Sequence, residues 1–143
     1  MQADIDVSDS DVFCIKECIV DGAHAHFVIM TKDMVIRLLM GADLMARLIS
    51  LLNLSIPEGC KPVENVSDAV VTARKVDTII RAVDVRVGGP SGYRGPNKPE
   101  LRLYTGKKKK HSVHLNLSWG QMALLKDLMV GLQRYVTPSI AVA

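Results

Sequence analysis

Aromatic residues, cysteines and long apolar runs are all scarce in this sequence of 143 residues. Two phenylalanines, three tyrosines and one tryptophan offer few stacking surfaces, so any contact with unpaired bases must depend mainly on charge. Three cysteines form no even disulfide framework, and a chain that is 48% hydrophobic can bury a core without one. No run approaches ~20 uninterrupted apolar residues, which argues against a membrane span. We therefore expect a cytoplasmic protein, cellular or viral, that folds as a single domain over residues 1–143.

Signatures of catalysis and of cofactor binding are also missing. The sequence holds no Gly-x-Ser-x-Gly elbow, no phosphate-binding loop and no dinucleotide fingerprint. Cys14, Cys18, His24 and His26 are four potential metal ligands. However, Cys-x3-Cys on a strand lacks the turn geometry of a zinc knuckle, and such cysteines more often lie in a core. The sequence thus predicts no enzyme, no cofactor and no metal site.

Charge is divided unevenly between the two halves of the chain. Residues 1–66 hold 10 acidic and 5 basic side chains, whereas residues 67–143 hold 5 acidic and 13 basic ones. Eleven of those cations lie between Arg74 and Lys110. Because such asymmetry concerns partners more than fold, it favours an anionic partner for the second half, with a merely solvated surface as the alternative.

The first half predicts two strands and a long helix after an acidic tail. Residues 1–11 carry four aspartates and predict a frayed terminus. Residues 12–20 and 25–30 predict strands joined by an Asp-Gly turn. Thr31 predicts the cap of a helix that reaches about residue 54, with Arg37 on its wet side. Residues 53–65, with two prolines and a glycine, predict a loop that acts as a hinge between halves.

The second half, residues 66–136, is rich in β-branched residues and ends in a helix. Residues 66–87 favour strands, although a helix over the first part stays open, and residues 88–99 predict a glycine-proline loop. A strand begins at Leu101, and residues 111–117 alternate between apolar and polar positions, the pattern of a half-buried strand. Ser118 and Gln121 then have the spacing of a capping box ahead of an apolar helical run.

These patterns predict an α+β fold. We expect a twisted antiparallel sheet with two long helices packed on one face. The first ββα half spans residues 12–54 and the second half spans residues 66–136. A weak internal repeat appears at an offset of 88 residues, where residues 26–34 align with residues 114–122.

The candidate site is a lysine turn between two strands. Buried unpaired charge is very costly, so four consecutive lysines must lie in water, where they can neutralise phosphates. Arg81, Arg86 and Arg102 on neighbouring strands would extend the positive surface, and the loop adds an aromatic beside two cations. The candidate nucleic-acid-binding residues are Arg81, Arg86, Tyr93, Arg94, Lys98, Arg102, Lys107, Lys108, Lys109, Lys110 and His114.

The strand Val-His-Leu-Asn-Leu-Ser, followed by Trp-Gly-Gln-Met-Ala-Leu-Leu-Lys-Asp-Leu, resembles the positive cofactor four and whirly superfamily. The resemblance covers residues 101–136 and implies a curved antiparallel sheet, helices that mediate dimer or higher assembly, and single-stranded nucleic acid as the ligand. By this likeness Arg102 and the four lysines correspond to the binding strands, with His114 and Asn116 beside them. Residues 12–54 depart from the pattern, because they add a strand pair and a helix of their own.

The sequence therefore predicts a homo-oligomer that binds single-stranded DNA or RNA through a basic hairpin. The alternative is a protein-interaction module, such as an adaptor, an inhibitor or a shell subunit, that uses its helices and the apolar tail 140–143 as contact surface. Seven methionines favour this alternative, because methionine makes an adaptable apolar surface.

Overall fold

The computed structural model describes residues 2–6, 14–19, 22–30, 34–65, 76–88, 99–106 and 111–136, and they form an α+β fold. Seven strands and two α-helices follow one another along the described chain. In order they are β1 Gln2–Asp6, β2 Cys14–Ile19, β3 His24–Met30, β4 Met34–Gly41, α1 Ala42–Ser55, β5 Val76–Gly88, β6 Glu100–Thr105, β7 His111–Asn116 and α2 Trp119–Leu132. A 3-10 turn, Gln133–Tyr135, continues α2.

The seven strands form one sheet in the order β1-β7-β6-β5-β4-β3-β2. The predicted antiparallel sheet is wrong in part, because β4 pairs with β5 in parallel and β1 pairs with β7 in parallel. Antiparallel hairpins need only local turns, and these are the pairings that sequence periodicity indicates. The two parallel pairings join strands far apart in the chain, so no local pattern predicted them.

The predicted frayed acidic tail is also wrong over residues 2–6. These residues form β1, whose register aligns Asp4 with His114 and Asp6 with Asn116 of β7. The edge of β7 would otherwise leave backbone donors and acceptors unpaired, and an added strand satisfies them. The acidic end of the chain therefore lies against the basic half.

The long helix predicted from Thr31 is a strand followed by a shorter helix. Residues 31–33 lie outside the described part, β4 starts at Met34, and α1 starts only at Ala42. Ile36, Leu38 and Met40 are buried with partly buried residues between them, which is the period of a strand. β4 lies inside the sheet, with β3 and β5 as its neighbouring strands, and it is apolar at almost every position. Such an apolar run fits a buried helix equally well in sequence. Gly41 does not kink a helix, since it is the extended residue that precedes α1.

Two three-strand units, each followed by a helix, make up most of the structure. We call β2, β3, β4 and α1 the first unit, and β5, β6, β7 and α2 the second unit. Residues 76–81 of β5 pair with β4, while residues 82–88 pair with β6. In the first half of the chain two strands share these two roles. β2 pairs with β3 of its own unit, and β1 pairs with β7 of the second unit. Thus β1 and β2 together stand where the second unit has the single long strand β5.

The loop after α1 contacts both β2 and α2. The side chain of Asn65 accepts from the backbone N–H of Ile15 at 2.9 Å and donates to its carbonyl at 3.1 Å. Two residues earlier, the N–H of Val63 donates to the carbonyl of Gly120 at 3.1 Å. The loop after α1 therefore links the edge of β2 to the first turn of α2, which directly follows β7. The predicted loop of residues 53–65 begins after Ser55 and ties these elements together.

Both helices share one hydrophobic cluster with the inward residues of the sheet. Met45, Leu48 and Leu52 of α1 and Met122 and Leu125 of α2 are fully buried in it. The predicted capping box is confirmed, because the N–H of Gln121 donates to Ser118 Oγ and the N–H of Ser118 donates to Gln121 Oε1. No helix in the part of the chain that the structure describes has the length and apolarity needed to cross a bilayer.

The alignment at an offset of 88 residues does not match the structure. It places Met34, the first residue of β4, on Met122, which lies inside α2. Other predictions fall outside the described residues, namely the fold of residues 66–75 and the apolar tail 140–143. The strands predicted at 12–20, 25–30 and 111–117 are confirmed as β2, β3 and β7 with shifted ends.

Candidate nucleic-acid interface

Three of the predicted basic residues form a row across three neighbouring strands. Arg86 of β5 is the cross-strand partner of Arg102 of β6, and Arg102 is the partner of His114 of β7. Their neighbours Val85, Leu101 and Leu115 are buried on the other side of the sheet. We call the side that carries Arg86, Arg102 and His114 the outer face. Cross-strand partners lie roughly 5 Å apart at their Cβ atoms, so the three side chains form one continuous polar surface.

Arg81 and a residue that the sequence did not indicate extend this surface along β5 and onto β4. Arg81 is exposed and lies in register with Leu39, two positions beyond Arg37 on the same face of β4. Sequence reasoning missed Arg37 because it placed that residue on a helix. Only the strand assignment of β4, which depends on its pairing with β5, brings Arg37 to the outer face beside Arg81.

A buried carboxylate orients Arg102. Nε and Nη2 of Arg102 both lie 3.2 Å from Glu100 Oε1, and the Glu100 side chain is 5% exposed. Burial by itself lowers the pKa of Arg102, but the hydrogen bond with Tyr104 and the charge of Glu100 outweigh it and raise this pKa above its usual value. Arg102 is therefore a fixed cation at any physiological pH.

Arg86 lies over the ring of Tyr104, with its guanidinium carbon 5.7 Å from the ring centroid. Arg86 is exposed and Tyr104 is half-buried, so the stacked pair presents a flat surface to solvent. The predicted pairing of an aromatic with cations at Tyr93 lies outside the described residues. Among the described residues such a pair occurs at Tyr104, since cross-strand register places Tyr104 diagonally from Arg86.

Ser112, His114 and Glu100 form a polar chain next to this pair. Ser112 Oγ lies 3.3 Å from His114 Nε2, and His114 Nδ1 lies 3.9 Å from Glu100 Oε1. Ser112 and Glu100 are 6% and 4% exposed. His114, which was predicted to contact the ligand, also lies at the centre of this network, between Ser112 and Glu100.

The remaining predicted residues lie outside the described part of the chain. These are Tyr93, Arg94, Lys98, Lys107, Lys108, Lys109 and Lys110. The described residues that flank them are at opposite ends of β6, since Pro99 precedes this strand and Gly106 follows it. Gly106 has a φ of 78°, a left-handed conformation that favours glycine at the start of a turn.

An ion pair beside the site joins the two units. Asp84, which is buried, accepts a hydrogen bond from Arg47 of α1 and another from the N–H of Val85 at 2.9 Å. The register of β5 against β6 shifts between Ala82 and Asp84, which marks a bulge. Asp84 is thus paired with a cation of α1, which links the helix of the first unit to β5.

Two exposed apolar side chains lie near the cations of β5, one before Arg81 and one between Arg81 and Arg86. Ile79 is 63% exposed and Val83 is 52% exposed. Within the described ranges, no group of three or more histidine, cysteine, aspartate or glutamate residues is placed to hold a metal ion. The cysteine side chains of β2 lie outside the described part.

Comparison with known proteins finds no matching family model, no matching curated protein and no matching solved structure.

Proposed function

We propose that this protein binds single-stranded nucleic acid on the outer face of its sheet. The observation that carries the proposal is the in-register row of Arg86, Arg102 and His114, which Arg81 and Arg37 continue onto β4. Arg102 is paired with Glu100, whereas Arg81 and Arg86 are exposed, so these two arginines offer a polyanion the most accessible positive charge. Neutralised phosphates release counterions, which drives such binding in dilute salt.

The arrangement favours an unpaired strand over a duplex. A base without a pairing partner can stack on the exposed pair of Arg86 and Tyr104, while its phosphates contact the arginines on either side. A duplex offers only its phosphates to such a flat surface. Because stacking and charge do not distinguish bases, we expect little sequence preference. DNA and RNA are both compatible with this site.

Titration of a fluorescent oligonucleotide at several salt concentrations tests the proposal. Replacing Arg37, Arg81 and Arg86 by alanine should weaken binding at low salt at least tenfold, and the slope of log affinity against log salt should become shallower by roughly two to three. Replacing Lys107, Lys108, Lys109 and Lys110 together by alanine tests the predicted lysine turn in the same way.

Arg134 provides a matched control, because its guanidinium also lies over a tyrosine, Tyr135, at 4.8 Å from the centroid. Arg134→Ala removes one cation and one stacked pair at a place that is not on the outer face. It should leave the oligonucleotide affinity and the salt slope unchanged. Equal losses of oligonucleotide affinity for Arg86→Ala and Arg134→Ala would show that net charge alone attracts the oligonucleotide. Wild-type protein that binds no oligonucleotide at low salt would remove the proposal.

We also infer that the two units are an internal repeat with an offset of 77 residues. Ala42 and Trp119, the first residues of α1 and α2, are 77 positions apart, as are the preceding cap residues Gly41 and Ser118. At this offset several core positions are identical in type, namely Leu38 and Leu115, Met45 and Met122, Ala46 and Ala123, Leu48 and Leu125, and Leu51 and Leu128. The same three-strand order before each helix supports the inference.

The second candidate function is a protein-interaction module, and the exposed apolar residues Ile79 and Val83 favour it. A cytoplasmic homo-oligomer would cover them. Light scattering after size exclusion, at low and high salt and with and without oligonucleotide, separates the two functions. Assembly that persists at high salt without any shift on adding oligonucleotide supports the interaction module.

A further inference from the structure

We propose that Ser112, His114 and Glu100 form a nucleophilic centre that hydrolyses carboxylic esters bearing a negative charge near the carbonyl group. Ser112 and His114 are two residues apart on β7 and so lie on the same face, with Ser112 Oγ 3.3 Å from His114 Nε2. Glu100 Oε1 lies 3.9 Å from the other ring nitrogen, Nδ1. A nucleophile beside a base that a third group orients is the arrangement that activates serine.

The first unit shows that the fold does not require these buried polar groups. His114 and Arg37 each lie five residues before the first residue of their helix, so they occupy matching positions. By the same matching, Val35 stands in the first unit where Ser112 stands in the second. Burying a hydroxyl and a carboxylate costs free energy that a valine does not. Packing alone therefore does not account for the network, which points to a chemical role.

Cationic and hydrogen-bonding groups border the nucleophile. Tyr104 is the cross-strand partner of Ser112, and Arg102, which is hydrogen-bonded to Tyr104, is the partner of His114. These groups can stabilise the oxyanion that forms when a carbonyl is attacked. Arg86, exposed above Tyr104, would bind the negative charge of the substrate, which selects anionic esters over neutral ones.

The reaction balances with water as the second substrate. His114 Nε2 takes the proton of Ser112 while Oγ bonds to the carbonyl carbon, and His114 then gives that proton to the departing alcohol as the ester bond breaks. Water, deprotonated by the same nitrogen, then attacks the acyl-serine. The bond from the carbonyl carbon to Oγ breaks, His114 returns the proton to Ser112 Oγ, and the carboxylic acid leaves. Glu100 touches no reacting atom and is a positioning residue, whose carboxylate lies on the Nδ1 side of the His114 ring.

Covalent labelling with diisopropyl fluorophosphate tests the nucleophile in the intact chain. Ser112 is 6% exposed, so a small probe is needed. We expect one added diisopropylphosphoryl group, located at Ser112 by peptide mass mapping. Ser112→Ala should abolish the addition, and Ser50→Ala, which alters an exposed serine of α1, should leave it unchanged. No addition to the wild-type protein, or addition at another residue, would overturn the proposal.

The roles of the base and the positioning residue are measured by rates. His114→Gln should slow labelling by about 100-fold or more, because the glutamine amide cannot accept the serine proton. Glu100→Gln should slow labelling, and Glu100→Asp, which keeps the carboxylate, should restore part of the rate, which a purely structural role would not do. Ester specificity is read from p-nitrophenyl hemisuccinate against p-nitrophenyl acetate. Labelling independent of His114, or equal turnover of the two esters, would contradict the mechanism.

Discussion

The two units share their inner packing and differ on their outer faces. Met45 and Met122, and Leu48 and Leu125, occupy matching helix positions and are all fully buried. On the outer face, Val35 stands in the first unit where Ser112 stands in the second. Val28, the cross-strand partner of Arg37, likewise matches Arg102, the cross-strand partner of His114. The core must fill the same space in both units, so its residues are constrained by volume. The outer face differs between the units even at a buried position such as Ser112, and its polar residues are therefore the better indicator of function.

The largest expected effect comes from the shared core. Leu48→Ala and Leu125→Ala should each lower the free energy of unfolding by about 2–5 kcal/mol, because both side chains are fully buried and leave a cavity. Urea denaturation measures both. If one variant lost less than half as much free energy of unfolding as the other, the two helices would not be equivalent in the core.

Loss of Arg47 should cost about 1–3 kcal/mol, because the buried Asp84 would lose its cationic partner. The matching position in the second unit is Leu124, which makes no such pair, so this contact is a link between the units. Thermal unfolding of Arg47→Ala measures the loss. Asp84→Asn together with Arg47→Ala should recover part of it, and an additive loss in the double variant would contradict the pairing.

Gly120 and Gly131 give opposite predictions within one helix. A Cβ at Gly120 would lie 2.6 Å from Val63 Cγ1, whereas one at Gly131 would meet nothing within 4 Å. Gly131→Ala should stabilise the protein by up to about 1 kcal/mol through helix propensity. Gly120→Ala should destabilise it by about 1–2 kcal/mol, because overpacking exceeds that gain. Matching shifts in denaturation midpoint for both variants would show that the loop does not pack on α2.

The smallest effect concerns the outer face itself. Ser112→Val gives the second unit the residue found at the matching position of the first, and it should change the free energy of unfolding by less than about 1 kcal/mol. Labelling at this position should be lost completely. A large loss of stability would mean that the polar network is structural.

Helices and strands were predictable where a residue pattern fits only one type of secondary structure. Alternation over residues 111–117 and the spacing of Ser118 and Gln121 predicted β7 and the start of α2 correctly. Residues 34–41 were misassigned because a strand paired on both sides is apolar at nearly every position, as a buried helix is. Arg37 was missed as a direct consequence. Tyr104, Ser112 and Glu100 carried no local signal, because their meaning depends on which strands lie beside them.

Sequence alone determined the α+β class, the division of charge and the start of α2, since each depends on composition or on residues a few positions apart. Tertiary structure decided the parallel junctions β4–β5 and β1–β7, the position of the acidic strand against the basic half, and the row of Arg86, Arg102 and His114. Those features join residues far apart in the chain. Burial of the shared core determines which strands pair with each other, and no short stretch of sequence contains that information.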